Sequence, residues 1–530
     1  MRRIFSTGSR CAIRAPGVLV TCALLLAMLS LPASVTRALQ VGTAGPAETV
    51  LVFTQIPYRP ESHDSGSAGF LSNRAAGKGS RICALRPAGA TTVLTPEFAA
   101  ASDPSVSFDG RQIVFAGKKS PQDSWNIWEM DADGRNKRQL TRSLGNCREP
   151  EYLARSSITP PDFADRVRWI TFVSDGSGSY ADGSAEPATS LYATNTEPLQ
   201  GRGSVVWRTT FNLASDFSPT VLRDGRLLFS SAQRASRVSG SGVRYPLLAS
   251  NWDGSGLNLF CSDDQGAAVK TMAVETADRH LVFVEAGSVT EAGGRLARVS
   301  FRRPLRTHEV LSKGSGYYLY PRPLPDGQLL VSYAGGRESY GVYTFDSGKG
   351  GPGAKLVDDP QWEDLDVQPI VTRPEPQGLI SSVVDRLAWG DLHCISVYES
   401  DRPEAAGIRK GDVKRVRFIT ATPAKPKEAA RPVKGKHDVL TRVLGEAPVE
   451  PDGSFFVRLP GDTPFYVETL DAQGRVLQTM ARWIWVRRGT SRGCIGCHEN
   501  KELAPENVTT EAIKRGRPHD LMNYRASPAH

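Results

Sequence analysis

The sequence predicts an all-β protein, and three observations carry this prediction. The chain has 50 Gly and 36 Pro among 530 residues, is 40% hydrophobic and has few long apolar stretches, as is typical of turn-rich strands. A unit made of a strand, an Asp-Gly turn and an alternating apolar strand recurs between residues 46 and 375. From residue 378 to 500 the rhythm changes to longer strand-like segments without that unit, which indicates a second domain.

The repeat is clearest in three segments. DPSVSFDGRQIVFAG begins at Asp103, SPTVLRDGRLLFSS at Ser218 and YPRPLPDGQLLVSY at Tyr320, each with a Pro five residues before an Asp-Gly pair. Two degenerate copies, DRVRWITFVS and DRHLVFVEAG, fill the gaps between them. The anchor aspartates, at spacings of 56, 59, 54 and 48 residues, are Asp109, Asp165, Asp224, Asp278 and Asp326. Such regular spacing indicates an array of equivalent structural units.

Four short antiparallel strands per unit are the composition of a β-propeller blade. TVLVFTQ from Thr49 has the pattern of a second strand without a first, whereas LDVQPIVTRP from Leu365 has that of a first strand without a second. Pairing them would close the ring, so the sequence predicts a six-bladed β-propeller over residues 46–375. The pattern resembles the WD40-like propellers of the TolB type, which implies binding of partners or ligands at the mouth of the channel. It implies no reaction.

The segment 378–500 predicts an antiparallel β-sandwich that ends in a CxxCH motif. A Pro-, Ala- and Lys-rich stretch from Thr422 predicts a disordered insertion. In RWIWV, Trp483 and Trp485 are two residues apart and share one face if the segment is a strand. They either fill the core of the sandwich or form the wall of an apolar pocket beside the motif. Residues 501–530 are a C-terminal tail in this interpretation.

Residues 1–38 predict a cleaved signal peptide. Four arginines precede an apolar run from Val18 to Leu31, and small residues at Thr36 and Ala38 suit a signal peptidase. We therefore expect a periplasmic or secreted protein without a membrane span after cleavage. The signal carries five Arg and no acidic residue, so the formal charge falls from +9 to +4, which gives no indication of nucleic-acid binding.

An oxidising compartment permits disulfides among the four cysteines outside the signal and the motif. These are Cys83, Cys147, Cys261 and Cys394. Their pairing cannot be deduced from the sequence, and buried thiols are an equally open alternative.

The motif CIGCHEN indicates a covalently bound c-type haem. Cys494 and Cys497 have the spacing that attaches the two vinyl groups, and His498 is placed to be an axial ligand of the iron. Met480 is a candidate for the sixth ligand, with His393, His437 and His519 as further candidates. The alternative is a structural zinc or disulfide site, to which His393 and Cys394 could contribute if the fold brings them close.

The segment from Glu450 to Asn507 resembles the middle domain of the hydrazine synthase alpha subunit family. The elements DGSF, LDAQG, TMARWIWV and RGCIGCHE carry the resemblance. It implies that Cys494 and Cys497 form thioether bonds to one haem c. Glu502 stands where the family's tyrosine ligand is expected, so His498 remains the predicted axial ligand. This sequence has a single CxxCH, and we do not extend the resemblance to hydrazine synthesis.

These observations favour an exported haem-binding propeller protein that transfers electrons to a redox partner protein or serves as a redox subunit of a larger complex. The alternative is a non-redox binding scaffold whose CxxCH is a structural zinc or disulfide site. Whether the protein is an enzyme is left open by the sequence.

Overall fold

The computed structural model describes most of the chain after the predicted signal. The described residues are 49–60, 79–87, 89–154, 167–179, 181, 187–199, 203–234, 243–261, 266–336, 338–400, 407–422, 440–480, 482–496 and 507–522. The predicted signal, the anchor Asp165, the insertion after Thr422, Cys497 and His498 lie outside them. No helix among the described residues is long and apolar enough to cross a membrane.

Up to residue 369 the described chain forms consecutive four-stranded antiparallel sheets and one separate two-stranded sheet, in which residues 233–234 pair with 243–244. The strands are β1 (Leu51–Pro57), β2 (Arg81–Leu85), β3 (Thr91–Val93); β4 (Ala100–Val106), β5 (Gln112–Lys118), β6 (Asn126–Asp131), β7 (Arg138–Gln139); β8 (Cys147–Leu153), β9 (Trp169–Ser174), β10 (Ser190–Asn195), β11 (Val206–Arg208); β12 (Asp216–Val221), β13 (Leu227–Ser231), β14 (Gln233–Arg234), β15 (Val243–Arg244), β16 (Leu247–Ser250), β17 (Asn258–Cys261); β18 (Val269–Glu275), β19 (His280–Ala286), β20 (Arg295–Ser300), β21 (Glu309–Val310); β22 (Tyr317–Pro323), β23 (Leu329–Ala334), β24 (Gly341–Asp346), β25 (Gly351–Val357); and β26 (Trp362–Pro369).

The two ends of this part meet in one sheet. β26 pairs antiparallel with β1, which is followed in the sheet by β2 and β3, as the unmatched strands of the sequence pattern predict. The first strands of successive sheets, β4, β8, β12, β18, β22 and β26, contact one another in order, and β26 contacts β4 in turn. These strands therefore surround a central channel, and the pairing of both ends covers two sheet edges that would otherwise be exposed.

Each of these inner strands contains a bulge with one residue in the left-handed region of backbone space. The residues, with φ between 49° and 56°, are Asp103, Glu149, Ser218, Met272, Tyr320 and Asp366. Four of them precede a proline, where the ordinary helical conformation is disfavoured. The bulge inserts an extra residue and turns it out of the ladder. The prolines of the sequence repeat therefore mark the level at which the inner strands bulge around the channel.

The second domain begins after the propeller-like part and contains two sheets. Its strands are β27 (Trp389–Cys394), β28 (Arg415–Thr422), β29 (Leu440–Pro448), β30 (Phe455–Pro460), β31 (Phe465–Leu470), β32 (Val476–Thr479), β33 (Ser491–Cys494) and β34 (His519–Asp520), with the short helix α1 (Glu511–Lys514). One sheet has the order β33-β27-β30-β34 and the other β29-β28-β31-β32. Side chains from both sheets, including Leu392, Phe418 and Val457, share one buried core.

Three features of this domain differ from the sequence prediction. The first sheet is mixed rather than antiparallel, because β33 runs parallel to β27 and β34 runs parallel to β30. The RWIWV segment is not a strand: β32 ends at Thr479, and only an isolated bridge joins Ile484 to Phe465. Residues of the expected tail also enter the domain, since β34 extends one of its sheets.

Candidate functional site

The first cysteine of the motif lies at the end of an edge strand. β33 pairs in parallel with β27 in a register that places Ser491 opposite Asp391, Gly493 opposite His393 and Cys494 opposite Cys394. Cys494 is partly exposed and packs against the core of the second domain. Its thiol is therefore held at the rim of a rigid sheet rather than in a free loop.

The chain beyond Cys494 stays attached to the segment that follows β27. The amide of Ile395 donates to the carbonyl oxygen of Cys494 at 2.9 Å, and the amide of Ser396 donates to that of Ile495 at 3.1 Å. Cys394 is 2% exposed, and its sulfur lies 3.8 Å from the carbonyl oxygen of Ile495. The two strands thus bring two cysteines that are 100 residues apart in sequence into direct register.

Close packing explains the two glycines of the motif region. A Cβ on Gly493 would lie 2.8 Å from Nε2 of His393, and one on Gly496 would lie 2.0 Å from the carbonyl oxygen of Glu399. Both separations are shorter than real carbon contacts allow. The space that a side chain would need at either position is therefore occupied by the protein.

His393 and Cys394 point to opposite sides of their sheet, because successive residues of a strand alternate. Cys394 enters the core, while the ring of His393 lies over Gly493 and meets Phe456 edge-on at 6.4 Å. Burial lowers the pKa of His393 below its usual range, which favours the neutral imidazole. Among the described residues, no group of three or more His, Cys, Asp or Glu is arranged to hold a metal ion.

Trp485 occupies the boundary with the propeller-like part rather than the core of the second domain. Its indole nitrogen donates to the carbonyl oxygen of Gly254 at 3.1 Å, and it packs in a cluster with Trp169 and Trp252. Trp169 and Trp252 stack with the intervening Trp207 at centroid distances of 5.2 and 5.6 Å. Of the two interpretations offered by the sequence, this placement excludes the one in which Trp485 fills the core of the second domain.

Trp483 lies at the same boundary. It packs with Tyr466 and Ile419 of the second domain and with Leu213 of the propeller-like part. Met480 packs against this cluster and also against the core of the second domain. Its role as the sixth iron ligand stays a prediction, and so do the roles of Cys497 and His498, which lie outside the described residues.

A buried arginine, which was not predicted from the sequence, strengthens the same boundary. Arg487 is 5% exposed, its guanidinium donates to the carbonyl oxygen of Arg208 at 2.9 Å, and it lies 4.8 Å from the ring centroid of Phe211. Burial lowers the pKa of Arg487, opposed chiefly by the charge of Asp462. The alternation along this segment could have indicated the role of Arg487. Ile484 and Val486 pack in the core of the second domain, whereas Trp483 and Trp485 lie at the boundary.

The channel of the propeller-like part is a second polar region. It holds a cavity of about 30 Å³, lined by the inner-strand bulges and by Glu151, Arg322 and Gln368. The bulges are linked in series: the amide of Glu149 donates to Asp103 at 3.1 Å, that of Ser218 to Glu149 at 2.6 Å and that of Met272 to Ser218 at 3.0 Å. Side chains of one sheet therefore satisfy backbone groups of the next.

Ion pairs fill much of this channel. Arg148 binds both oxygens of Asp103 at 2.6 and 3.0 Å, whereas Arg322 lies 3.6 Å from Glu151 and 3.4 Å from Asp366. Burial raises the pKa of Asp366 to about 7, and the nearby charge of Arg322 only partly opposes this. Asp366 is thus protonated over much of the acidic range.

Residues 411–499 match the family model of the hydrazine synthase alpha subunit middle domain, and this range includes the CxxCH motif. Over this range the chain is similar to the hydrazine synthase alpha subunit family. Hydrazine synthase subunit alpha of Kuenenia stuttgartiensis is 29% identical over an alignment of 523 residues, covering 82% of this chain. The chain spans 64% of the length of that relative.

A solved structure of hydrazine synthase agrees with this similarity. The structure of Kuenenia stuttgartiensis hydrazine synthase matches with a TM-score of 0.78 and 27% identity, over 89% of this chain and 71% of that one. TolB from Acinetobacter baumannii matches with a TM-score of 0.40 and 12% identity, over 63% of this chain and 68% of that one. The resemblance deduced from the RGCIGCHE region is confirmed, and the fold is nearly all-β and propeller-like.

Proposed function

We propose that this relative of hydrazine synthase alpha is an exported c-type haem protein that acts as a redox subunit of a complex. The observation that carries the proposal is the family match over 411–499, because it ends just after the CxxCH motif and includes β33, the strand that holds Cys494. The six sheets that surround the channel are, in this proposal, the blades of one closed propeller, which supports a sandwich-like haem domain.

The residues around Cys494 fit covalent haem attachment. Its thiol is at the partly exposed end of β33, where an attachment system can reach it, while hydrogen bonds to residues 395 and 396 fix the backbone. Cys494 and Cys497 would form the thioether bonds, His498 would bind the iron, and Met480 is the proposed sixth ligand. The haem would supply one-electron iron chemistry, tuned by its axial ligands and by the dryness of its surroundings.

The partner proposed for this chain is another protein subunit that exchanges electrons with the haem. The relative in Kuenenia stuttgartiensis is named as a subunit, and it is longer than this chain. We do not assign hydrazine synthesis to this protein, because only one CxxCH is present in its sequence.

The test is intact mass and absorption spectroscopy of protein exported together with a cytochrome c maturation system. We expect one covalent haem per chain with a reducible Soret and α band, loss of the covalent adduct in Cys497→Ser, and retention of it in the control Cys83→Ser, whose thiol is buried in β2. Absence of any adduct from the wild-type protein, in material whose β-sheet circular dichroism is intact, would refute the proposal.

One observation favours a second candidate function, a non-redox binding scaffold. Cys394 stands directly opposite Cys494, as in a sheet stapled by its cysteines. In that case the exported protein carries no iron porphyrin and contains either a disulfide or zinc bound at the motif, which metal analysis and thiol counting would detect.

A further inference from the structure

We propose that Cys394 and Cys494 form a disulfide in the haem-free protein, and that this bond withholds Cys494 from haem attachment. The claim about haem attachment rests on the proposed function, whereas the claim about the disulfide concerns the two thiols alone. The central observation is their register: the two residues are direct partners at the ends of the parallel strands β27 and β33.

The backbone geometry suits such a bond. Neighbouring strands lie about 4.8 Å apart, and disulfides join Cα atoms that are about 4.4 to 6.8 Å apart. Direct partners in a sheet project their side chains to the same face, and both cysteines pack against the same core. Hydrogen bonds from Ile395 to Cys494 and from Ser396 to Ile495 hold the two backbones in this register beyond the strand ends, so the sulfurs meet by rotation of the two side chains.

The unequal exposure of the two thiols assigns them different roles. Cys494 is partly exposed and can attack a disulfide oxidant, such as oxidised glutathione or a thiol-disulfide exchange protein. This forms a mixed disulfide and releases one thiol of the oxidant. Cys394, which is 2% exposed, then attacks the sulfur of Cys494 from within the core and releases the second thiol. The protein loses two protons and two electrons, and the oxidant is reduced to two thiols.

The consequence for haem attachment follows from this chemistry. A thioether bond to a vinyl group requires the reduced thiol of Cys494, so a Cys394–Cys494 disulfide prevents attachment until a reductant opens it. The other cysteines of the described chain are poorly suited to replace Cys394. Cys83, Cys147 and Cys261 are all buried, and all three lie in the propeller-like part rather than near β33.

Peptide mapping of the haem-free chain tests the disulfide directly. After oxidation with oxidised glutathione and blocking of remaining thiols, trypsin should yield a linked pair of the peptides 387–409 and 493–501. The link should persist in Cys497→Ser and in the control Cys83→Ala, and disappear in Cys394→Ala. A link confined to Cys494 and Cys497, or alkylation of both Cys394 and Cys494 when the oxidised protein is unfolded before the thiols are blocked, would overturn the proposal.

Haem loading tests the consequence separately. With the maturation system and no added reductant, Cys394→Ala should carry at least as much covalent haem as wild type, and reductant should raise the yield of wild type only. Equal dependence on reductant in both proteins would contradict the withholding role. If neither protein gains haem while the 387–409 to 493–501 link forms, the proposed function fails and the disulfide stands. Cys394 is a core residue, so the variant Cys394→Ala could be unstable. Peptide mapping of the wild-type protein tests the disulfide without that variant.

Discussion

At the scale of single residues, the structure shows where burial opposes ionisation. Asp366 is 6% exposed, lies beside Arg322 and faces the carboxylates of Asp103 and Glu151 across the channel. Because the pKa of Asp366 in the folded protein is about 7, against 3.8 in the unfolded chain, the folded state binds the extra proton between these values. The contribution of Asp366 to the stability of the protein should therefore fall as the pH rises from about 4 to 7.

Asp366→Asn should remove this part of the pH dependence. The amide mimics the protonated carboxyl, so the variant should lose less stability than wild type between pH 4 and 8, by at most about 4 kcal/mol. Denaturant unfolding at a series of pH values measures the difference, with the exposed Asp385→Asn as control. Parallel pH profiles for wild type and Asp366→Asn would show that Asp366 ionises normally in the fold.

Close packing leaves no room for a side chain at Gly496. Gly496→Ala should destabilise the second domain by about 1–3 kcal/mol, because the new Cβ would meet the carbonyl oxygen of Glu399 at 2.0 Å. Gly336→Ala is the matched control, since no atom lies within 4 Å of the added Cβ. Thermal unfolding should show a lower melting temperature only for Gly496→Ala. An unchanged melting temperature would mean that residues 494–496 do not dock against 395–399.

At the scale of secondary-structure elements, the repeat was predictable and its irregular members were not. The Asp-Gly turns after Pro104, Pro219 and Pro321 join first and second strands as expected, because turn chemistry is local. The inner strand β8, CREPEYL, was missed because charged residues interrupt its apolar alternation. The sequence feature that could have identified β8 is Glu149 followed by Pro150. A left-handed residue followed by proline also occurs at Asp103, Ser218 and Tyr320.

The haem-motif strand illustrates why part of the site could not be deduced from sequence. β33 is four residues long and pairs in parallel with a strand about 100 residues earlier. Parallel pairing leaves no hairpin turn in the sequence, and a strand this short has no measurable periodicity. The motif itself was evident, but the opposition of Cys394 to Cys494 depends on a register that only the folded sheet fixes.

At the scale of the whole molecule, the second domain is fixed to the propeller-like part by a layer of aromatic and charged groups. Trp485 donates to Gly254, Trp252 donates to the carbonyl oxygen of Leu379 at 2.7 Å, and Ser381 donates to Asp253 at 2.8 Å. Buried tryptophans and satisfied polar groups of this kind are typical of permanent interfaces. The two parts should therefore unfold together.

Trp485→Ala should uncouple them. Truncating a fully buried tryptophan costs about 3–5 kcal/mol, and here the loss falls on the contact between the two parts, where Trp485 packs against the cluster that contains Trp169 and Trp252. Calorimetry of wild type should give one cooperative transition, whereas the variant should give two, with the second domain melting first.

The matched control is Trp389→Ala, because that indole packs under the guanidinium of Arg458 at 3.4 Å within the second domain. The control should lower the melting temperature without splitting the transition. A single transition in Trp485→Ala would mean that the contacts of Arg487, Trp252 and Ser381 alone hold the two parts as one cooperative unit.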